Sequence, residues 1–351
     1  MITNNNYYKQ NTNLLNYGFD EKLLSSDYGS LTLGRITAVH RGSYELVSSL
    51  GFTNGILKSS IYYNNDLIEL YPTVGDFVLF QYNPYGDSVI TETLPRKSCF
   101  TRRDPDKGRG EQAIASNFDY VFIVTSLNHD FNPKRLERYV TEAWQSGGNP
   151  IIVLTKADLK PSFQEEIDAA AYAAPDVPLY AVSTLTGHGL EELSTLLRPG
   201  ITIVLLGSSG VGKSSLVNAI AGEELMKVNL IREDDSKGRH TTTHRQLISL
   251  STGLVVIDTP GMRSLGMWDV SEGLGETFVE IEELIALCKF SDCTHTNEPG
   301  CAVNDALSSG KLSEDRYQSY LKLKKEARFI AHKENKQKRK LKDSNKKRKF
   351  K

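Results

Sequence analysis

The octet Gly207-Ser208-Ser209-Gly210-Val211-Gly212-Lys213-Ser214 has the spacing G-x-x-x-x-G-K-S and follows the apolar run Ile201 to Leu206. A strand before it and a helix beginning near Ser214 give the motif its chemistry. The glycines let backbone N–H groups converge on phosphate oxygens, and the helix N-terminus adds positive potential. Lys213 then reaches β- and γ-phosphates, the Ser214 hydroxyl suits Mg²⁺, and Ser215 extends the cradle. Asp258-Thr259-Pro260-Gly261 follows a second apolar run, Leu254 to Ile257. That position suits Asp258 to the Mg²⁺ shell and the Gly261 N–H to sensing a γ-phosphate.

Base choice falls to Thr155-Lys156-Ala157-Asp158, after the apolar run Ile151 to Leu154. Lys156 can lie along a purine face, while the Asp158 carboxylate accepts from guanine N1–H and the 2-amino group, donors that adenine lacks. GTP and GDP with Mg²⁺ are therefore the expected ligands. Asn is the usual first residue of such a motif, and its amide can serve both the base and the phosphate loop. Thr155 brings one hydroxyl, so weaker affinity with guanine selectivity retained is expected. Ser183-Thr184, after Leu179 to Val182, occupies the place of a loop supporting the base from its other side.

Between Ser214 and Asp258 the stretch Gly238-Arg239-His240-Thr241-Thr242-Thr243-His244 has the polarity of a switch, with Thr243 the favoured Mg²⁺ and γ-phosphate contact. Met262 follows Gly261, where a glutamine often orients the attacking water. A thioether cannot do so. Slow intrinsic hydrolysis is expected, with His240 or a partner completing the site.

Cys288, Cys293, His295 and Cys301 are spaced C-x4-C-x-H-x5-C. Three thiolates and one imidazole suit a closed, structural Zn²⁺ site. The remaining cysteine, Cys99, is distant and reads as a small buried residue or an incidental thiol rather than a ligand.

These residues need scaffolds of different kinds. At 351 residues the chain is long enough for two or three compact units. Residues 1–30 read as an Asn- and Tyr-rich extension with one short helix, Asp20 to Ser25. Residues 31–95 carry short β-like runs over Gly34–Val39, Tyr44–Val47, Asp76–Phe80 and Ser88–Ile90, separated by Gly, Asn and Pro turns. An OB barrel fits this spacing and an SH3-like barrel fits nearly as well, and periodicity alone does not separate them. Tyr44, Tyr62, Tyr63, Tyr82 and Tyr85 are placed either to stack on bases or to fill the barrel's core and rim. Residues 96–111 read as a linker. Residues 112–266 alternate apolar strands and helical spacings, the signature of a doubly wound, mainly parallel sheet. Residues 267–335 read as mainly helical, with candidates over Gly275–Leu287, Asp305–Lys311 and Ser313–Lys333, and 336–351 as a basic tail.

Net charge is −1, yet Lys333 to Lys351 holds eleven basic residues against two acidic ones, so the tail carries +9 and the rest of the chain −10. A uniformly basic nucleic-acid binder is excluded; a basic arm that binds phosphate locally is not. Cysteine usage, the absence of a signal-like start and of any long apolar run lead to the expectation of a cytoplasmic protein without membrane contact.

The base-reading T-K-A-D lies about fifty residues before the phosphate loop, the reverse of the usual order. That order (G4-G5-G1-G2-G3), with G-S-S-G-V-G-K-S-S, G-R-H-T-T-T, D-T-P-G and the trailing Cys/His spacing, resembles the circularly permuted GTPases of the RsgA/YjeQ/YloQ family over about residues 31–335. The resemblance implies an N-terminal OB-fold barrel, a central α/β P-loop GTPase domain and a C-terminal zinc-binding helical domain. It further implies a monomer that binds the small (30S) ribosomal subunit and its rRNA late in maturation, hydrolyses GTP when stimulated by it, and leaves as the GDP form. Thr155 and Thr184 depart from the commoner residues, and the Asn-rich start has no counterpart in the family pattern. Two other readings are a nucleotide-gated rRNA-binding module with little turnover, favoured by Met262, and a large-subunit assembly GTPase.

Overall fold

The computed structural model describes residues 13–59, 71–103, 111–128, 130–226, 245–258, 271–329 and 332. They divide into two compact units: residues 1–131, 146–168 and 177–265 form the first, and 132–145, 169–176 and 266–351 the second.

The first unit begins with a five-stranded barrel: β1 (Thr32–Val39), β2 (Tyr44–Ser48), β3 (Gly51–Leu57), β4 (Phe77–Gln81) and β5 (Ser88–Thr93). Its strands pair in the closed order β1-β2-β3-β5-β4-β1, with only β3 and β5 parallel. This closure answers the choice that spacing left open, because it has the Greek-key connectivity of an OB barrel. Alternation along the strands sends Ile36, Leu46, Val78, Phe80 and Ile90 inward. Leu33, Val47, Phe77 and Leu79 face the other way, where Phe19 covers them. Tyr44 belongs to the inner core at 7% exposure, which removes it from the candidate base-stacking residues; Tyr82 and Tyr85 are exposed, and Tyr62 and Tyr63 lie outside the described residues.

A second sheet region joins this barrel edge to edge. It comprises β8 (Tyr120–Ser126), β9 (Asn149–Thr155), β10 (Leu179–Ala181), β11 (Thr202–Leu206), β12 (Gln246–Ser249) and β13 (Val255–Asp258). The spatial order is β10-β9-β8-β11-β13-β12, all parallel except β12, and β12 pairs with β1 at Ala38↔Gln246. The half carrying the base reader precedes in sequence the half carrying the phosphate loop, and the two halves abut in one sheet where β8 pairs with β11. Phe122, Val124, Ile151, Val153, Ile203, Leu216 and Val256 share one of its cores.

The segment expected to be a linker contains β6 (Cys99–Arg103), which pairs antiparallel with β7 (Glu111–Ser116). Its charged residues disguise it: Arg102 and Arg103 carry no apolar alternation, and pairing with β7 makes the strand, with Phe100 buried against Phe118.

In the second unit, which also holds the helix Pro133–Gln145, the helices Ser271–Thr277, Val279–Ala286, Ala302–Ser308 and 314–329 contribute to a core of Leu274, Phe278, Ile281, Val303, Tyr317 and Tyr320. The expected single helix over Gly275–Leu287 is broken at Phe278, whose φ of −123° and ψ of 43° are not helical. Arg316 is the polar centre. It is 2% exposed and donates to Glu137 (3.0 Å), Glu280 (2.8 Å) and the carbonyls of Ala173 and Thr277 (both 2.7 Å), with its guanidinium over the Phe278 ring. A buried guanidinium is tolerated because every face of it is matched. Among the described residues no helix is long and apolar enough to cross a membrane.

Candidate nucleotide and metal sites

The four described nucleotide motifs end strands of one sheet on one edge. The phosphate loop follows β11, Asp258 closes β13, Thr155 closes β9 and Ser183 follows β10. Ligands of open α/β sheets bind at this carboxyl edge, and β11 sits where the order turns from β8 to β13.

Backbone conformation fixes the phosphate loop. Gly207 has φ of 147°, and a Cβ there would stand 2.2 Å from the Val124 carbonyl oxygen; Gly212, with φ of 97°, precedes the helix Lys213–Ala221. Only glycine permits both the turn and the approach. Lys213 donates to the carbonyls of Gly207 (2.8 Å) and Ser208 (2.5 Å), which holds its ammonium across the loop mouth. Ser208, Ser209, Gly210, Ser214 and Ser215 are half-buried around it, and Val211 is buried.

The base reader is tied to this loop. The buried Thr155 hydroxyl donates to the Val211 carbonyl at 2.5 Å, and Lys156, in the left-handed region at φ of 61°, donates to the Gly210 carbonyl at 2.9 Å. The Ala157 N–H donates to the Val182 carbonyl, joining the motif to the loop after β10. There the buried Ser183 hydroxyl donates to Asp158 at 2.5 Å and accepts from the N–H groups of Leu185 and Thr186. Asp158 is exposed but oriented; Thr184 is exposed. Thr155 thus keeps the bond to the phosphate loop and has no second group for the base.

Asp258 is half-buried and pairs across the ladder with Gln246, the second described residue after the switch stretch. His240, Thr243, Gly261 and Met262 lie outside the described residues, as does the basic tail from Lys333.

In the second unit the Cys288, Cys293 and Cys301 sulfurs and a His295 nitrogen lie within 4.8 Å of one another. A tetrahedral Zn²⁺ with Zn–S of about 2.3 Å and Zn–N of about 2.1 Å requires S···N of ~3.6 Å and S···S of ~3.8 Å. The His295 Nδ1 is 3.5 Å from both Cys288 and Cys301, and those sulfurs are 4.0 Å apart. The donor set fits zinc in type and spacing. Burial, reinforced by Lys324, lowers the His295 pKa and favours the neutral imidazole that a metal needs. Cys301 also caps the helix Ala302–Ser308 by accepting from the Asn304 N–H. Sequence reading passes over Glu298, which accepts from the Thr294 hydroxyl and from the N–H groups of Thr294, Thr296 and Asn297, clamping the loop between ligands. Those bonds, the Thr294 hydroxyl first, hold its carboxyl at about 2.

A family model described as RsgA GTPase matches residues 93–268, and one described as 50S ribosome-binding GTPase matches residues 202–340. The small ribosomal subunit biogenesis GTPase RsgA 1 of Listeria monocytogenes is 50% identical over 303 residues, 86% of this chain and 85% of that protein. The chain belongs to the RsgA GTPase family. Its reaction is GTP hydrolysis. The small ribosomal subunit biogenesis GTPase RsgA of Methanosarcina acetivorans is 41% identical over 331 residues, 94% of this chain and 89% of that protein. Among solved structures, YjeQ from Thermotoga maritima is similar with a TM-score of 0.63 and 27% identity, covering 85% of this chain and 98% of the other. YloQ, described as a circularly permuted GTPase, has a TM-score of 0.60 at 27% identity, with 87% and 98% covered. That description of YloQ agrees with the reversed motif order of this chain.

Proposed function

We propose that this protein acts in biogenesis of the small ribosomal subunit, binding it in the GTP form, hydrolysing GTP on contact with it, and leaving as the GDP form. Supporting this are the names carried by the similar RsgA proteins and the joining of a five-stranded barrel to the nucleotide sheet through β1 and β12. Lys213 and the phosphate-loop N–H groups bind β- and γ-phosphates, Ser214 and Asp258 hold Mg²⁺, and Asp158, oriented by Ser183, selects guanine. Thr155 and Lys156 fix the base reader to the phosphate loop. Gly261 and Thr243 respond to the γ-phosphate, and His240 is the proposed aid to water attack in place of Met262. Mg²⁺ supplies charge neutralisation on the phosphates. Zn²⁺, held by Cys288, Cys293, His295 and Cys301, is structural.

Exposed Tyr82 and Tyr85 and the basic tail are the proposed rRNA contacts, and the protein works as a cytoplasmic monomer. The deciding experiment is GTP turnover with purified small subunits, large subunits or neither, beside co-sedimentation with a non-hydrolysable GTP analogue. Stimulation by small subunits alone is expected; none, or stimulation by large subunits, refutes the assignment. The reading of a nucleotide-gated rRNA binder, which Met262 favours, predicts co-sedimentation without turnover.

A further inference from the structure

β1 belongs to two structures at once. It pairs with β2 and β4 inside the barrel, and at Ala38 with Gln246 of β12, which in turn stands opposite Asp258 of β13. Antiparallel pairing on both sides of β12 makes β1 run in the same direction as β13. Its Ala38 end therefore lies at the carboxyl edge of the sheet, with the nucleotide motifs, and its earlier residues lie toward the opposite edge.

At that opposite edge stands Arg35, with 0% exposure. Its guanidinium donates to the Tyr17 carbonyl (2.6 Å), the Gly75 carbonyl (3.1 Å), the Asn117 carbonyl (2.8 Å) and the Thr202 hydroxyl (3.0 Å), and its charge lies over the Phe77 ring at 4.8 Å. These partners come from the N-terminal turn Leu14–Tyr17, the turn before β4, the residues leading into β8, and the first residue of β11. Among the described residues no carboxylate is hydrogen-bonded to the guanidinium; burial lowers its pKa to about 10, with Asp119 and Asp76 opposing. The Thr202 N–H in turn donates to Asp119 at 2.8 Å. The N-terminal turn adds a second fastening, because the Ser249 hydroxyl of β12 donates to the Asn16 carbonyl at 2.7 Å. Phe19, 3% exposed, closes the barrel side against Phe77.

A buried cation held, among the described residues, by carbonyls and a hydroxyl from four separated segments is an expensive device for stability alone. What it fixes is the position of β1 along the nucleotide sheet. We propose that Arg35 is a positioning residue for GTP hydrolysis: it locks β1 so that its far end holds β12, and through β12 the strand of Asp258, in the arrangement that responds to binding on the barrel. Residues 13–30, unexplained by sequence, are the strap of this lock. The inference rests on the proposed subunit-stimulated hydrolysis for its kinetic arm and on the free protein for its exchange arm.

The test compares full-length wild type with Thr202→Val, which removes one acceptor hydroxyl and keeps the shape, with Ser249→Ala, which loosens the strap, and with Arg35→Lys, which keeps charge and loses the fork. Basal turnover and GDP affinity are expected to stay within about twofold, while subunit-stimulated kcat falls at least about threefold. Hydrogen exchange in the free protein is expected to quicken at Ala38 and Gln246 and to stay unchanged in β8 and β9. Basal and stimulated rates falling together in proportion to folded protein, or exchange at Gln246 unchanged in Thr202→Val and Ser249→Ala, overturns the proposal. Wild type without stimulation refutes the proposed function, and the exchange arm then still decides the role of Arg35.

Discussion

The Thr155 hydroxyl donates to the carbonyl of Val211, so the first residue of the base reader is bonded to the phosphate loop. A Thr→Val exchange keeps the shape and leaves that buried carbonyl short of a donor, a loss of about 1–1.5 kcal/mol. Thr155→Val is expected to weaken GDP binding about tenfold, measured by titration calorimetry. Its preference for GDP over ADP is expected to remain, because no base contact is removed.

Asp158 is held by Ser183, and the opposite pattern is expected there. Ser183→Ala leaves the carboxylate free to rotate, so preference for guanine over adenine nucleotides is expected to fall several-fold. Asp158→Ala is expected to abolish the preference. Competition of ADP and GDP against a fluorescent GDP analogue separates this from the Thr155 effect. An unchanged preference in Ser183→Ala would show that Asp158 needs no orientation.

Zinc is expected at one equivalent per chain by elemental analysis. Cys301 lines the second unit's core as well as the metal site, so stripping the metal with a strong chelator is expected to melt the helix Ala302–Ser308 and expose Tyr317 and Tyr320. Near-ultraviolet circular dichroism reads the tyrosines. Guanine nucleotide binding, which the first unit holds, is expected to persist.

Glu142, 7% exposed in the helix Pro133–Gln145, has a buried carboxyl oxygen without a hydrogen-bond partner among the described residues. Burial raises its pKa to about 8 against the attraction of Arg138. The folded protein therefore keeps the proton through a range where the unfolded chain has lost it. Stability contributed at low pH is lost as pH rises toward 8, by about 2 kcal/mol between pH 6 and pH 8. Glu142→Gln, neutral throughout, is expected to flatten this slope in urea titrations. Parallel slopes in variant and wild type would count against a protonated Glu142.

Chemistry was far more legible in the sequence than placement. The phosphate loop, Asp158 and the Cys/His spacing were readable because backbone conformation and ligand number restrict residue choice at short range. The permutation was readable too, since motif order needs no coordinates. Arg35 was not: one arginine in a β-like run looks like a solvent-facing charge, and its four partners are scattered from Tyr17 to Thr202. Arg316 was hidden likewise, its carboxylates lying at Glu137 and Glu280. The break at Phe278 escaped because helical spacing continues across it, and the strand Cys99–Arg103 because it is defined by its pairing.

Because β4 returns to β1, the barrel ends the run of strands in a closed ring, and the other end is β10, three residues long. An open sheet bordered by β12 would present a row of free N–H and C=O groups to other chains. The barrel meets that border at Ala38↔Gln246. Cutting the chain after residue 95 to study the nucleotide domain alone would uncover β12, and the product would be a self-associating sheet rather than a smaller enzyme.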